Sequence, residues 1–200
     1  MANHVSAHLR VQTISEEGQK VWNSFVCEKL EAGKREGEWE VHLGHYLFEC
    51  DESGEFTDWD FNKMCEEVGA KWAYATDWDV DFVSCYSAWS PVLEWAEMVA
   101  KKIGEVDPSV ALVMTYEDEM PNFVGVATFD KDGIDTDNVL EHDEILEMVL
   151  NDHEDIRDCW DEENYEWKED REDEGLELLW EVQYDVINEW QENNIDWSIK

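Results

Sequence analysis

Two hydrophobic periods alternate along the first part of this chain. Between residues 4 and 11 every second side chain is apolar, which is the period of a strand that buries one face. Ser15 then occupies a position typical of a helix N-cap, and apolar residues spaced three and four apart continue to about Gly33. The pattern therefore predicts a strand followed by a helix.

The same two periods recur up to residue 130. Alternating or β-rich runs predict one strand at 38–48, two strands within 71–88, and single strands at 110–116 and 123–129. An Asp132-Gly133 turn signal closes this part of the chain.

Helices are predicted between these strands. Asp58 is the expected N-cap of a short helix that ends at Gly69. Ser90 and Pro91 are typical of the start of a helix, with Ser as N-cap and Pro at the first helical position, and this helix ends at Gly104.

From Asp137 the apolar period is helical. The order of elements before it predicts an α+β fold, in which helices pack on one face of an antiparallel sheet. We therefore expect an α+β domain over residues 1–133 and an acidic helical extension over residues 134–200.

The composition is extremely acidic, with 52 Asp+Glu against 14 Lys+Arg and a net charge of −38 over 200 residues. The chain also carries 12 Trp and 46 Leu, Ile, Val and Phe, which is enough for an ordinary core. Its longest uncharged run, Phe82 to Leu93, has twelve residues and is too short to cross a membrane. Without a signal-peptide pattern or a CxxC pair, the expected location is the host cytoplasm, with reduced cysteines.

This charge restricts the partners. A surface that binds phosphates must supply cations, so we expect no direct contact with nucleic acid or with anionic membranes. The net charge of successive 50-residue quarters is −3, −10, −10 and −15, and residues 151–174 hold thirteen acids against three bases. A charged partner should be basic and should meet this segment.

The candidate partner surface therefore consists of carboxylates of the 151–174 block. They are Glu154, Asp155, Asp158, Asp161, Glu162, Glu163, Glu166, Glu169, Asp170, Glu172, Asp173 and Glu174. As one helix the block would extend about 36 Å and carry one net charge per ~3.6 Å, against one per ~3.4 Å for a DNA strand. Six acids at i, i+4 spacing from Glu154 to Glu174 would line one side of it. A solvated or disordered tail is the alternative interpretation of such a block.

Three segments carry a resemblance to a known family. Gly69-Ala-Lys-Trp72, Tyr86-Ser-Ala-Trp89-Ser90-Pro91 and the hairpin Tyr116 to Gly125 are similar to the YubB-like ferredoxin-like domain of plasmid and phage proteins. The resemblance covers about residues 1–130. It implies a ferredoxin-like sheet with helices on one face, a mobile-element origin and no known catalytic activity.

The chain departs from that family in having one Pro after Ser90 and a long acidic extension, so the function of the extension is not inherited. Within the motif, Trp72 and Trp89 are expected to fill the interface between sheet and helix. Ser90 and Pro91 are expected to start the helix.

No motif for catalysis is present. Asp130 to Glu141 has the composition of a calcium loop, but Gly133 stands fourth instead of sixth and Ile134 occupies a ligand position. Glu166-Trp167-Lys168 matches the end of a nuclease motif, which is uninformative in so acidic a block. The sequence predicts a protein that is not an enzyme and has neither a cofactor nor a metal.

These observations favour an anti-defence protein of a phage or plasmid that imitates nucleic acid. Its partner would be a basic nucleic-acid-binding host defence protein of a restriction, CRISPR or related system.

One alternative is an adaptor or antidote that binds through exposed tryptophans of the C-terminal helices, with acidity serving solubility. These tryptophans are Trp160, Trp167, Trp180, Trp190 and Trp197. A second alternative, adaptation to high salt, predicts evenly spread acids and not a gradient. The oligomeric state stays open.

Overall fold

An antiparallel sheet of seven strands forms the centre of the protein. The computed structural model describes residues 3–161, 163–168 and 171–194. The strands are β1 (His4–Thr13), β2 (Val41–His42), β3 (Ala73–Trp78), β4 (Phe82–Ala88), β5 (Ala111–Asp118), β6 (Phe123–Asp130) and β7 (Gly133–Glu141). Their order in the sheet is β2-β3-β4-β1-β5-β6-β7. A separate hairpin pairs β8 (Trp160–Asp161) with β9 (Glu166–Trp167).

Helices lie on both faces of this sheet. They are α1 (Glu16–Trp22), α2 (Glu28–Gly33), α3 (Phe61–Glu67), α4 (Leu93–Gly104), α5 (His142–Asp152), α6 (Glu154–Arg157) and α7 (Glu172–Asn194). A π-helical turn at Asn23–Cys27 joins α1 to α2. The predicted α+β class is confirmed.

Six of these elements form a ferredoxin-like unit. In chain order they run β1-α1-β3-β4-α4-β5, and their strands lie side by side as β3-β4-β1-β5. The central strand β1 pairs with β4 on one side and with β5 on the other, both antiparallel. The predicted N-cap of α1 is confirmed, because the Ser15 side chain accepts a hydrogen bond from the Gly18 amide at 3.2 Å.

The first sheet face is covered by α1, α2 and α4. Val5, Ala7 and Leu9 alternate along β1 toward this face and are fully buried. Trp22 of α1 and Trp95 of α4 belong to the same core and are also fully buried. Since burying a large apolar side chain contributes roughly 1.5–3 kcal/mol, this layer holds the ferredoxin-like unit together.

The second sheet face is covered by α7 over β5 and β6. Val113 and Val126 point to this side, where Trp190 packs against them. Val124 of β6 forms a further core with Ile145 of α5 and Leu179 of α7. The sheet and the C-terminal helices thus share apolar contacts, and β7 extends the sheet past residue 133.

The predicted strand at 38–48 is wrong except at Val41–His42. Only Val41–His42 pairs with β3. The Nδ1 atom of His42 accepts a hydrogen bond from the Gly44 amide at 2.8 Å, and the chain continues as a 3-10 turn over Leu43–Tyr46. A side-chain bond to the local backbone therefore ends the strand.

The predicted helix start at Asp137 is also wrong. Residues 133–141 form β7, an edge strand whose side chains are mostly exposed, and α5 begins at His142. Its N-cap is Glu141, which forms a capping box with Glu144. Glu is not among the favoured N-cap residues, so the boundary carried little sequence signal.

Two predicted caps are displaced. Asp60, and not Asp58, caps α3 by accepting hydrogen bonds from the amides of Asn62 and Lys63 at 2.9 and 3.2 Å. Helix α4 begins at Leu93 without a side-chain cap. Ser90 instead donates its hydroxyl to the Gly69 carbonyl at 2.5 Å, which closes the turn before the helix.

Candidate functional site

The acidic block at 151–174 is not one helix. It is divided between α6, which has four residues, the hairpin β8–β9, and the first turn of α7. The expected row of acids from Glu154 to Glu174 on one helix face is therefore wrong. Glu154 and Asp155 belong to α6, while Glu162, Glu169 and Asp170 lie outside the described residues.

One carboxylate of the block, Asp161, stabilises the local fold. Asp161 accepts hydrogen bonds from the amides of Glu163 and Asn164 at 2.9 and 3.1 Å, which shapes the hairpin turn. The hydrogen bond from the Asn164 side chain lowers the pKa of Asp161. Asp158, Glu163 and Glu166 are exposed around this turn.

The last three acids of the block begin α7. Glu172, Asp173 and Glu174 are exposed in its first turn, where negative charge is favourable to the helix dipole. Glu174 also pairs with Arg171 at 2.5 Å. Part of the predicted surface thus has a structural role, and the rest is split between three elements.

A continuous acidic row lies instead along α7. It consists of five exposed carboxylates at i, i+4 spacing, namely Asp173, Glu177, Glu181, Asp185 and Glu189. Successive members rise about 6 Å along the axis and turn about 40°, so the row crosses the exposed side diagonally. The opposite side of α7 buries Leu179, Gln183 and Val186.

This row stands without compensating charge. Residues 172–194 contain eight acids and no Lys or Arg. In the part of the chain that the structure describes, none of the ion pairs involves a member of the row. The sequence alone predicts this row, because the five acids recur at helical spacing on one side and the apolar residues recur at helical spacing on the other. These apolar residues are Leu176, Leu179, Val182 and Val186. The longest exposed acidic row on one helix thus lies downstream of the segment with the densest charge.

Helix α5 packs beside α7 and enlarges the acidic surface. Its exposed side chains include Asp143, Glu144 and Glu147. The exposed Asp137 of the edge strand β7 does not belong to this surface, because it lies on the first sheet face with Tyr116 and Ala127. Asp137 accepts a hydrogen bond from the buried Tyr116 hydroxyl at 2.6 Å, which fixes that carboxylate at the sheet edge.

The predicted tryptophan surface is wrong as a contiguous exposed face. Trp167 is only 8% exposed and contacts the half-buried Trp160, with ring centroids 4.9 Å apart. Trp190 is half-buried against the sheet, and Trp197 lies outside the described residues. Only Trp180, among the four that are described, is exposed, at 44%.

The Trp-Ser-Pro motif also differs from expectation. Trp89 is 64% exposed and does not fill the interface between sheet and helix, and its backbone has a φ of 75°. Trp72 is half-buried beside His4, with ring centroids 5.3 Å apart, on the sheet face opposite α1 and α4. A positive φ costs a non-glycine residue roughly 1–2 kcal/mol, so the local fold does not explain why Trp stands at 89.

Comparisons with protein families, with curated proteins and with solved structures find no match for this chain. The likeness to the YubB-like family therefore stays a prediction from the motifs. Within the residues that the structure describes, no helix has the length and apolar character needed to cross a membrane.

Proposed function

We propose that this protein is an anti-defence protein of a phage or plasmid that imitates nucleic acid. Its carboxylates take the place of phosphates in the basic groove of a host restriction, CRISPR or related defence complex. The observation that carries the proposal is the row of exposed carboxylates along α7, from Asp173 to Glu189.

The charge density of α7 is close to that of a nucleic acid strand. Its 23 residues extend about 34 Å at ~1.5 Å per residue. The eight acids give one charge per ~4.3 Å, against one per ~3.4 Å for a strand of B-DNA. A groove lined by Lys and Arg gains affinity for DNA by releasing counterions, and an anionic helix of this density competes for the same cations.

The row is displayed from a helix that is anchored to the sheet. The Nε2 atom of Gln183 donates to the Asp118 carbonyl at 2.9 Å in a buried position. One helical turn after Val186, Trp190 packs on Val113 and Val126. Because the helix is ordered before binding, little conformational entropy is lost when its carboxylates meet a groove.

Apart from Asp173, which favours the helix dipole, folding alone gives no reason to keep the row. Each like-charge pair at i, i+4 destabilises a helix by about 0.2–0.5 kcal/mol, and the row contains four such steps. A feature that opposes folding and is fully exposed is typical of a binding surface.

Competition with DNA tests the proposal. The immobilised protein captures its partner from a bacterial lysate, and the purified partner is then assayed for binding to a labelled DNA duplex. The proposal predicts that the acidic protein displaces the duplex from the partner in a competitive manner. A partner that binds the protein and the duplex at the same time would overturn it.

Two variants with equal loss of charge make the test specific. The row variant replaces the five acids of the row by their amides, as Asp173→Asn, Glu177→Gln, Glu181→Gln, Asp185→Asn and Glu189→Gln. The scattered variant removes five exposed acids outside the helices, as Glu36→Gln, Glu52→Gln, Asp58→Asn, Asp77→Asn and Asp81→Asn. We expect competition to be lost in the row variant and retained in the scattered variant.

A second candidate is the adaptor function through exposed aromatic residues. It is favoured by Trp180 and Tyr184 of α7, which are 44% and 65% exposed and lie beside Ser6 of β1 in one shallow depression. Under this hypothesis, the pair Trp180→Ala and Tyr184→Ala abolishes partner binding while the row variant retains it. Nucleic acid mimicry predicts the reverse.

A further inference from the structure

A row of flat aromatic rings lies on the second sheet face, over strands β3 and β4. Tyr74 and Tyr86 are direct cross-strand partners, and their rings stack at 5.3 Å with an angle of 20°. The ring of Trp39 lies 6.4 Å from that of Tyr86 at an angle of 26°, and Trp39 is 64% exposed. Three nearly parallel rings thus reach toward solvent.

Two carboxylates accompany these rings. Glu40 accepts a hydrogen bond from the Tyr86 hydroxyl, which fixes its position beside the ring. Burial raises the pKa of Tyr74, and the negative charges of Glu40 and Glu38 raise it further, so both carboxylates lie close to its hydroxyl. In the described part of the chain, none of the ion pairs involves Glu38 or Glu40.

A cleft of about 410 Å³ lies beside these groups, and Tyr74, Glu38 and Glu40 belong to its lining. Tyr86 and Trp39 stand at its rim, because Tyr86 contacts Glu40 and Tyr74, and Trp39 contacts Tyr86. Its lining includes Glu38, Glu40, Glu55 and Arg35, which leaves a formal charge of −2 when the histidines are neutral. Burial lowers the pKa of the lining residue His42 to about 4, so that it is uncharged at neutral pH. The cleft is therefore complementary to a cation that has an apolar or flat body.

One end of the cleft already holds a guanidinium group of the chain itself. Arg35 donates to the Gly54 carbonyl and pairs with Glu55 at 3.6 Å. Glu40, which lies next to the exposed Trp39 in the chain, is a second carboxylate of this lining, and none of the ion pairs among the described residues involves it.

We propose that the rim of this cleft, at Trp39 and Glu40, binds an arginine side chain of a basic polypeptide. The guanidinium stacks on the exposed ring of Trp39, and its N–H groups donate to the carboxylate of Glu40. A planar guanidinium fits this arrangement better than an ammonium group, because it can stack on a ring and donate to a carboxylate in a bidentate manner. The proposal concerns a surface distinct from α7 and holds whether or not the acidic row imitates nucleic acid.

Short peptides test the proposal. Blocked pentapeptides with a central arginine, lysine, trimethyllysine or citrulline between glycines are titrated into the labelled protein, and amide and indole N–H signals are followed by NMR. We expect the arginine peptide to bind at least tenfold more tightly than the citrulline and lysine peptides and to shift the Trp39 indole signal. Equal binding of citrulline, or tighter binding of either lysine peptide, would overturn the assignment.

Variants distinguish specific binding of the arginine peptide at this site from a general attraction of a basic peptide to an acidic protein. Trp39→Ala and Glu40→Gln should each weaken binding of the arginine peptide at least tenfold. The row variant of α7 removes five charges elsewhere and should leave this binding within twofold. Because Trp39 and Glu38 are exposed, Trp39→Ala and Glu38→Gln keep the test valid if Glu40→Gln fails to fold. Unchanged binding in Trp39→Ala, or an equal loss in the row variant, would contradict the proposal.

Discussion

Gly175 lies directly under the indole ring of Trp167. A methyl group in place of the glycine hydrogen would stand 2.3 Å from the Cδ2 atom of that ring. Trp167 belongs to β9 and Gly175 to the first turns of α7, so the hairpin is docked on the start of the helix. This contact explains why the densest acidic segment folds back on itself and does not extend as one helix.

Gly175→Ala should therefore destabilise the protein. In an exposed helix this change would contribute about 1 kcal/mol of stability, but the clash with Trp167 costs about 1–3 kcal/mol. The free energy of unfolding in urea measures the net loss. In a Trp167→Ala background the clash is absent, and the same change should then stabilise the protein. Stabilisation in the wild-type background would contradict the docked hairpin.

Neutralising the α7 row should stabilise the protein. The row variant removes four like-charge i, i+4 contacts, which corresponds to a gain of about 1–2 kcal/mol at low salt. Urea unfolding at low and at 1 M salt measures this gain, which should shrink at high salt, where the screening length is ~3 Å. The scattered variant lacks the helical contacts and should gain less. A destabilised row variant would mean that the carboxylates have folding partners.

Trp89 offers a test of backbone strain. With a φ of 75°, Trp89→Gly should be more stable than Trp89→Ala by about 1 kcal/mol. In helices alanine is more stabilising than glycine, so the sign of the stability difference between the two variants is informative by itself. Thermal or urea unfolding of the two variants gives the comparison. If alanine is the more stable replacement, residue 89 is not strained.

The pH dependence of stability should contain a contribution from His42. Burial, with help from the neighbouring His45 and Arg35, lowers the pKa of His42 to about 4 from 6.5. Between these pH values the unfolded state binds the additional proton, so stability is fully present above pH 6.5 and falls as the pH drops toward 4. The loss of stability over this range is about 3 kcal/mol.

The matched variant for this measurement is His42→Asn, which keeps a side-chain acceptor near the Gly44 amide. The difference in unfolding free energy between wild type and variant should decrease from pH 7 to pH 4. A difference that is constant over this range would show that His42 titrates normally in the folded protein.

The sequence predicted the elements whose periodicity is strong. The strand at β1, the Ser15 cap and the strands β3 to β6 follow from alternation and local capping chemistry, and the ferredoxin-like order agrees with the resemblance. The predicted element boundaries are wrong where a single side chain determines where a strand ends or a helix begins. His42 ends a strand by binding the Gly44 amide, and Glu141 starts a helix from a position that rarely holds Glu.

The sequence predicted an acidic surface, but it did not predict how the folded chain distributes the acids. Charge density pointed to residues 151–174, yet density along the chain does not determine which carboxylates share a surface. The docking of Trp167 on Gly175 divides that block, whereas the apolar stripe of α7 keeps its own acids on one side. The row of aromatic rings was not predicted, because Trp39 and Tyr86 lie far apart in the chain and meet only in the folded structure.

The salt dependence of partner binding tests nucleic acid mimicry most directly. Five carboxylates that replace phosphates predict an affinity that falls on the order of 10²-fold between 50 and 200 mM salt, as for DNA. The dissociation constant of the purified partner is measured over this range for the wild type, the row variant and the scattered variant. The account predicts a steep slope for the wild type and the scattered variant and a shallow slope for the row variant. An affinity that salt leaves unchanged, or equal slopes for both variants, would contradict it.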